Sequence, residues 1–169
     1  NLWTDLSLYE KAPNYAIITP SRGCPYNCAY CAQKTINNGR KTTECRLVDD
    51  IHAEMMDKWE RFGIRDFCFY ADFLLWKPEE NFIPLLEKIS QTKSVKFRIY
   101  APEGLDVKQL SRSQKLVDLL KAANMQKIYL PCENIDDQYL ETLNRKHVHL
   151  EDFVKAARMC EKAGFKLRN

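Results

Sequence analysis

The alternation of short apolar segments with helical segments constrains the fold more than any other feature of this chain. Short β-branched or aromatic segments at residues 15–19, 66–70, 95–101, 127–130 and 165–167 favour strands. The intervening segments favour helices, at residues 47–62, 79–89, 113–123, 136–143 and 150–163. Strands and helices that alternate in this way predict βαβ units with right-handed crossovers and a parallel sheet.

The length limits how far this α/β pattern extends. With 169 residues the chain holds about four βα units and the start of a fifth, whereas a closed eight-unit barrel takes roughly 250 residues. We therefore predict a partial (βα) barrel of parallel strands whose native protein continues beyond the last residue. Residues 1–14 are expected to form an irregular N-terminal segment, and residues 15–169 a single domain.

Composition excludes several classes of protein. With 45% hydrophobic and 29% charged residues the chain is expected to be a globular, cytoplasmic protein without a membrane span or signal peptide. Its five separated glycines rule out a dinucleotide fingerprint and a phosphate-binding P-loop. A net charge of +3 does not by itself support nucleic-acid binding. A solvated loop equally explains the modest basic group formed by Lys34, Arg40, Lys41 and Arg46.

Three of the seven cysteines form a metal-binding pattern. Cys24, Cys28 and Cys31 follow the first predicted strand with the spacing CxxxCxxC. Thiolates are soft ligands that suit iron–sulfur clusters and zinc. Three ligands would leave one position of a four-iron cluster open, whereas a structural zinc site takes four, with Cys45 as the candidate fourth. Structural zinc sites usually have CxxC pairs rather than this spacing, so zinc is the alternative to an iron–sulfur cluster.

The segment Ser-Arg-Gly-Cys-Pro-Tyr-Asn-Cys-Ala-Tyr-Cys, at residues 21–31, resembles the signature loop of the radical S-adenosylmethionine (radical SAM) enzymes. The resemblance implies a six-unit partial barrel in which Cys24, Cys28 and Cys31 hold a 4Fe-4S cluster. It also implies binding of S-adenosylmethionine and its reductive cleavage to a 5′-deoxyadenosyl radical. Tyr30, the aromatic residue before the third cysteine, would lie against the adenine.

Three further positions are carried over from the same resemblance. Phe-Tyr-Ala-Asp at residues 69–72 is similar to a Tyr-Asp-Asp variant found in cobalamin-linked members, with Ala71 replacing one aspartate, and it implies that Asp72 contacts the amino group of the cofactor. Glu133, after the fourth predicted strand, would bind the ribose. Arg145, in the Leu-Asn-Arg-Lys-His stretch at residues 143–147, would pair with the methionine carboxylate.

The Arg-Gly-Cys-Pro stretch at residues 22–25 resembles the branch of the family that includes cobalamin-dependent members and methylthiotransferases. It implies methyl or methylthio transfer to an unknown substrate, a one-electron reductant such as flavodoxin or ferredoxin, and cobalamin held by a domain outside this chain. The alternative is a structural zinc- or iron–sulfur-binding module without radical chemistry. An unpaired sheet edge would also permit a dimer.

The remaining cysteines form no second motif, and the histidines near Arg145 receive no role. Packing is the expected role of Cys68 and Cys160. An auxiliary ligand or a reactive thiol is the less expected role of Cys45 and Cys132. His147 and His149 are expected to be loop or cap residues.

Overall fold

The protein is described here by a computed structural model covering residues 3–11, 13–36 and 42–168, without the side chains of Lys34 and Arg168. The strands are β1 (Tyr15–Ile18), β2 (Ser21–Arg22), β3 (Glu44–Cys45), β4 (Asp66–Phe69), β5 (Arg98–Tyr100), β6 (Ile128–Tyr129) and β7 (Leu167–Arg168). The α-helices are α1 (Gln33–Ile36), α2 (Val48–Phe62), α3 (Phe82–Gln91), α4 (Val107–Arg112), α5 (Gln114–Ala122), α6 (Asp137–Thr142) and α7 (Leu150–Lys162).

The main sheet is parallel and has the order β1-β4-β5. A parallel bridge from Ile99 to Met125 extends it towards β6, which pairs in parallel with β7. The predicted α/β class and the parallel orientation of the sheet strands are therefore confirmed. The described strands form an open arrangement, as a partial barrel requires, and this places the carboxyl ends of successive strands along one edge.

Alternation along the strands separates a buried face from an exposed one. Phe67 and Phe69 of β4 are buried in the main core, as are Ala16 and Ile18 of β1. The opposite face of β1 leaves Ile17 47% exposed. Because side chains alternate in a strand, one face of the sheet packs against the helices while the other faces the interior of the open barrel.

Several boundaries differ from the prediction for local reasons. Helix α3 begins at Phe82 rather than at residue 79, because residues 78–81 form turns and Lys77 has a positive φ of 43°. Helix α4 was not predicted, and the Asp106 side chain caps it by accepting a hydrogen bond from Gln109 N. The antiparallel pairing of β2 with β3 was not predicted either.

The N-terminal segment packs against α2. It contains a 3₁₀ helix, Leu6–Leu8, whose Leu6 side chain is buried in the main core. The Lys58 ammonium group donates a hydrogen bond to Thr4 O at 2.9 Å and pairs with Glu54 at 3.1 Å. Lys58, which is itself paired with Glu54 on α2, thus holds this segment. Within the described ranges, no helix has the length and apolar character needed to cross a membrane.

Candidate functional site

A cavity of about 780 Å³ lies where the loops after β1, β4 and β5 meet. All seven residues predicted from the sequence line it, namely Cys24, Cys28, Tyr30, Cys31, Asp72, Glu133 and Arg145. Loops at the carboxyl ends of parallel strands are where α/β barrels bind their ligands. The structure therefore brings together, in one cavity, residues that are far apart in the sequence.

Asp72 holds the residues on both sides of the cysteine loop, which we define as residues 24–31. Its Oδ2 atom accepts a hydrogen bond from Gly23 N at 2.7 Å, and its Oδ1 atom accepts one from the Gln33 side-chain amide. Both carboxylate oxygens are thus engaged by the protein. The sequence predicted a cofactor contact for Asp72, and the structure adds a role in positioning the loop.

Position 23 requires glycine because the backbone there passes close to the backbone of Thr42. Its φ is +93°, and a Cβ atom at this position would lie closer than 3.0 Å to the Thr42 carbonyl oxygen. The neighbouring residues Ser21 and Arg22 pair with Cys45 and Glu44, so the backbone that precedes the cysteine loop is held on two sides.

Residues 143–147, which we call the docking segment, contact residues within the cysteine loop itself. Ala29 N donates a hydrogen bond to Leu143 O at 2.9 Å. The His147 ring stacks on the Tyr26 ring, with centroids 3.4 Å apart and planes at 4°. Together with Asp72, this segment fixes the loop between two distant parts of the chain.

Arg145 is the electrostatic centre of the docking segment. Its Nη1 atom donates a hydrogen bond to Tyr30 Oη at 2.8 Å and lies 4.0 Å from Cys28 Sγ, and its Nη2 atom lies 3.7 Å from Glu133 Oε1. Burial alone would lower the pKa of Arg145. The nearby Tyr30, Glu133 and Cys28 side chains favour its charged form and raise the pKa overall. Among the described residues, its buried Nε atom has no hydrogen-bond partner.

Glu133 adopts an unusual backbone conformation beside this guanidinium. Its φ is +61°, in the left-handed region that non-glycine residues rarely occupy. Burial raises the pKa of the neighbouring Cys132 thiol, and the Glu133 carboxylate raises it further. Strained backbone concentrates at functional sites, so the conformation of Glu133 is an independent reason to include it in the site.

The three thiols share the cavity but are not gathered around a common centre. Among the described residues, no three His, Cys, Asp or Glu side chains are arranged to hold a metal ion. Burial raises the pKa of Cys24, and the nearby Cys28, Cys31 and Asp72 raise it further. The donor chemistry of three thiols on one short, held loop fits an iron–sulfur cluster. Cys45 is not one of the described residues that line the cavity, which does not favour the four-cysteine zinc site.

Tyr26, Asp106 and His147 also line the cavity, although the sequence did not point to them as site residues. Burial raises the pKa of Tyr26 to about 12, and it lowers the pKa of His147 to about 4, with Arg145 and Lys108 adding to the second effect. Burial also raises the pKa of Asp106. Tyr26 lies within the recognised loop, but its stacking partner could not be identified without the fold.

The other cysteines lie in different surroundings. Cys160 is fully buried in the core, and Cys68 is half-buried in β4. The Cys132 thiol contacts Asn134 O at 3.2 Å. Of the four basic residues noted in the sequence, Arg46 pairs with Asp50 and Glu54. Arg40 and Lys41 lie outside the described residues.

Comparison with known proteins supports these assignments of fold and family. The family model of the radical SAM superfamily matches residues 18–168. No curated protein matches the chain significantly. Among solved structures, TsrM is a radical S-adenosylmethionine methyltransferase from Kitasatospora setae with cobalamin and a 4Fe-4S cluster bound. It is 18% identical, with a TM-score of 0.75 over 90% of this chain and 30% of its own.

Two further structures share the fold. OxsB, a cobalamin-dependent S-adenosylmethionine radical enzyme with aqua-cobalamin bound, is 16% identical with a TM-score of 0.70, over 90% of this chain and 23% of its own. Methylornithine synthase (PylB) is 14% identical with a TM-score of 0.61, over 90% of this chain and 42% of its own. The chain thus spans less than half the length of each. A family match over most of the sequence establishes that the chain belongs to the radical SAM superfamily.

Proposed function

We propose that this chain is the part of a radical SAM enzyme that holds a 4Fe-4S cluster and S-adenosylmethionine. The observation that carries the proposal is the convergence of three thiols, one carboxylate–guanidinium pair and Tyr30 on one cavity. Reductive cleavage of S-adenosylmethionine at such a cluster supplies a 5′-deoxyadenosyl radical. Residues 15–169 would form this domain, with the irregular N-terminal segment packed against it.

The roles of the protein side chains follow from their chemistry. Cys24, Cys28 and Cys31 would ligate the cluster as thiolates, with the loop held from outside by Asp72 and the docking segment. Arg145 presents a planar fork of donors, which suits the carboxylate of S-adenosylmethionine.

Three other residues would bind the rest of the cofactor. Glu133 would accept hydrogen bonds from the ribose hydroxyls, and the Tyr30 ring would lie against the adenine. Asp72 would contact the amino group while keeping its hydrogen bond to Gly23 N. This last role is supported by the ability of each carboxylate oxygen to accept more than one hydrogen bond.

The subclass we propose is methyl or methylthio transfer to an unidentified substrate. Its support is the Arg-Gly-Cys-Pro stretch and the similarity of fold to TsrM and OxsB. Cobalamin, if used, would be held outside this chain. The proposal includes a one-electron reductant of the flavodoxin or ferredoxin class and a cytoplasmic location. An unpaired sheet edge could pair with a second copy of the chain, and sedimentation at several protein concentrations would detect such a dimer.

Anaerobic reconstitution with iron and sulfide tests the cluster. We expect reduced protein to give an electron paramagnetic resonance signal that shifts when S-adenosylmethionine is added. Cys28→Ala should lose the signal, whereas Cys45→Ala, at an exposed cysteine that is not among the described residues lining the cavity, is the matched control and should keep it. Tight zinc binding with no cluster, or a cluster that ignores S-adenosylmethionine, would favour the module without radical chemistry.

A second experiment tests the role of Arg145. Removing a hydrogen-bonded charge from a ligand carboxylate costs about 1.5–3 kcal/mol, which corresponds to roughly 10- to 150-fold weaker binding. We expect Arg145→Met to weaken S-adenosylmethionine binding by this factor at equal cluster content, and Arg145→Lys to recover part of it. Unchanged affinity in Arg145→Met would contradict the assignment.

A further inference from the structure

Ser21 has a buried hydroxyl group that the protein does not use. The residue is 5% exposed, and among the described residues its Oγ atom has no hydrogen-bond partner. Leaving a buried polar group unpaired costs about 1–3 kcal/mol, so such groups are uncommon in folded proteins. An unpaired hydroxyl at this depth indicates a partner that binds in addition to the protein.

The position of Ser21 identifies the side of the molecule from which that partner comes. Ser21 lines the same cavity as Cys24, Cys28 and Cys31, and it stands three residues before the first of them. Its backbone pairs with Cys45 of β3. Because Gly23 is held by Asp72 and by the close approach of Thr42, the short connection to the cysteine loop cannot swing Ser21 away.

The chemistry of the cavity selects the acceptor. A serine hydroxyl can donate one hydrogen bond, and the group expected nearest to this side of the cysteine loop is a sulfur-rich, negatively charged cluster. Hydrogen bonds to the sulfur atoms of a cluster stabilise its more negative, reduced state and thereby raise its reduction potential. The same hydrogen bond would give the buried hydroxyl its missing partner.

We propose that Ser21 Oγ–H donates a hydrogen bond to a sulfur atom of the cluster held by Cys24, Cys28 and Cys31, and that it raises the midpoint potential of this cluster. The inference rests on the proposed function. The cluster would gain one electron from an external one-electron reductant, and no covalent bond to Ser21 would form or break. The proton stays on Oγ, so Ser21 is a positioning and tuning residue.

A potentiometric titration of the reconstituted protein without S-adenosylmethionine tests the proposal, with the reduced cluster followed by electron paramagnetic resonance. At the midpoint of the wild type, we expect the reduced fraction to fall from about one half to about one tenth in Ser21→Ala. Ser21→Thr, which retains a hydroxyl, should titrate close to the wild type. Equal midpoint potentials in the wild type and Ser21→Ala would overturn the proposal.

Unfolding of the cluster-free protein gives a second, independent readout. Ser111 is the matched control, because it is 2% exposed and its hydroxyl contacts Lys108 O and Asp152 Oδ1. Ser111→Ala should therefore lower the free energy of unfolding, whereas Ser21→Ala should leave it unchanged or raise it. A loss in Ser21→Ala as large as in Ser111→Ala would mean that the hydroxyl already has a partner, and would overturn the inference. Failure of the wild type to take up a cluster would instead refute the proposed function.

Discussion

Replacing Gly23 by alanine tests how the backbone before the cysteine loop is held. At φ = +93°, an added Cβ atom would meet the Thr42 carbonyl oxygen at under 3.0 Å and the Thr42 carbonyl carbon at 3.1 Å. Neither is the end of a flexible side chain, so the backbone itself must move. The movement would disturb the pairing of Arg22 with Glu44 and the hydrogen bond from Gly23 N to Asp72.

Gly63 provides a matched control for this substitution. It also has a left-handed conformation, with φ = +68°, but nothing lies within 4 Å of an added Cβ atom. The left-handed conformation costs alanine about 1–2 kcal/mol at either position. At Gly23, the loss of two or three hydrogen bonds adds about 2–3 kcal/mol, at roughly 1 kcal/mol each. We therefore expect Gly23→Ala to lower the free energy of unfolding by about 3–5 kcal/mol, and Gly63→Ala by about 1–2 kcal/mol.

Urea denaturation of the cluster-free protein, monitored by tryptophan fluorescence, measures the free energy of unfolding of both variants. Iron uptake in the same variants should fall only for Gly23→Ala, because only that change displaces the cysteine loop. If the two alanine variants lose equal stability, the close approach of Thr42 does not restrain the loop and the argument from Gly23 fails.

Three further predictions concern ionisable side chains that are buried or hydrogen-bonded in the folded protein. Lys58→Met should lower the free energy of unfolding by about 3 kcal/mol, because it leaves Glu54 buried with one partner fewer, whereas Lys77→Met, at an exposed pair, should change the urea midpoint little. Burial holds the pKa of His147 at about 4, against 6.5 when unfolded, so the folded state resists protonation and loses stability as the pH falls from 6.5 to 4. Measured between pH 7 and 4.5, the wild type should lose more stability than His147→Phe, and parallel pH curves would contradict this cause. Asp72→Ala should cost about 1–2 kcal/mol in urea unfolding, because a backbone N–H loses its acceptor. Asp72→Asn should recover part of this loss, and equal stability of both variants with the wild type would show that the contact contributes nothing.

The parts of the fold that were predictable are those with a strong local pattern. Helix α2, Val48–Phe62, lies within one residue of its prediction because its apolar spacing and Gly63 both mark it. Helix α4 was missed although Asp106 and Gln109 form a recognisable cap at its start. The β2–β3 pair has two residues in each strand, too few to show any periodicity. Its existence depends on contacts between segments, which no local pattern contains.

The same distinction applies to the site. The spacing of the three cysteines pointed to the cavity, and resemblance pointed to Arg145, because both are features of contiguous sequence. The stacking of His147 on Tyr26 depends on the α6–α7 connection reaching the cysteine loop in space. The unpaired hydroxyl of Ser21 likewise became evident only from its burial. Such relations arise from packing, and sequence position alone does not encode them visibly.

The docking segment also sets the order in which the site can be assembled during synthesis. Gly23 contacts Asp72, which is synthesised 49 residues later, and Cys28 contacts Arg145, which is synthesised 117 residues later. The three thiols are therefore synthesised before the residues that restrain them. Until those residues have been synthesised the thiols are open to oxidation, which would prevent them from acting as ligands. We expect reducing conditions to preserve the three thiols until the α6–α7 connection has been synthesised.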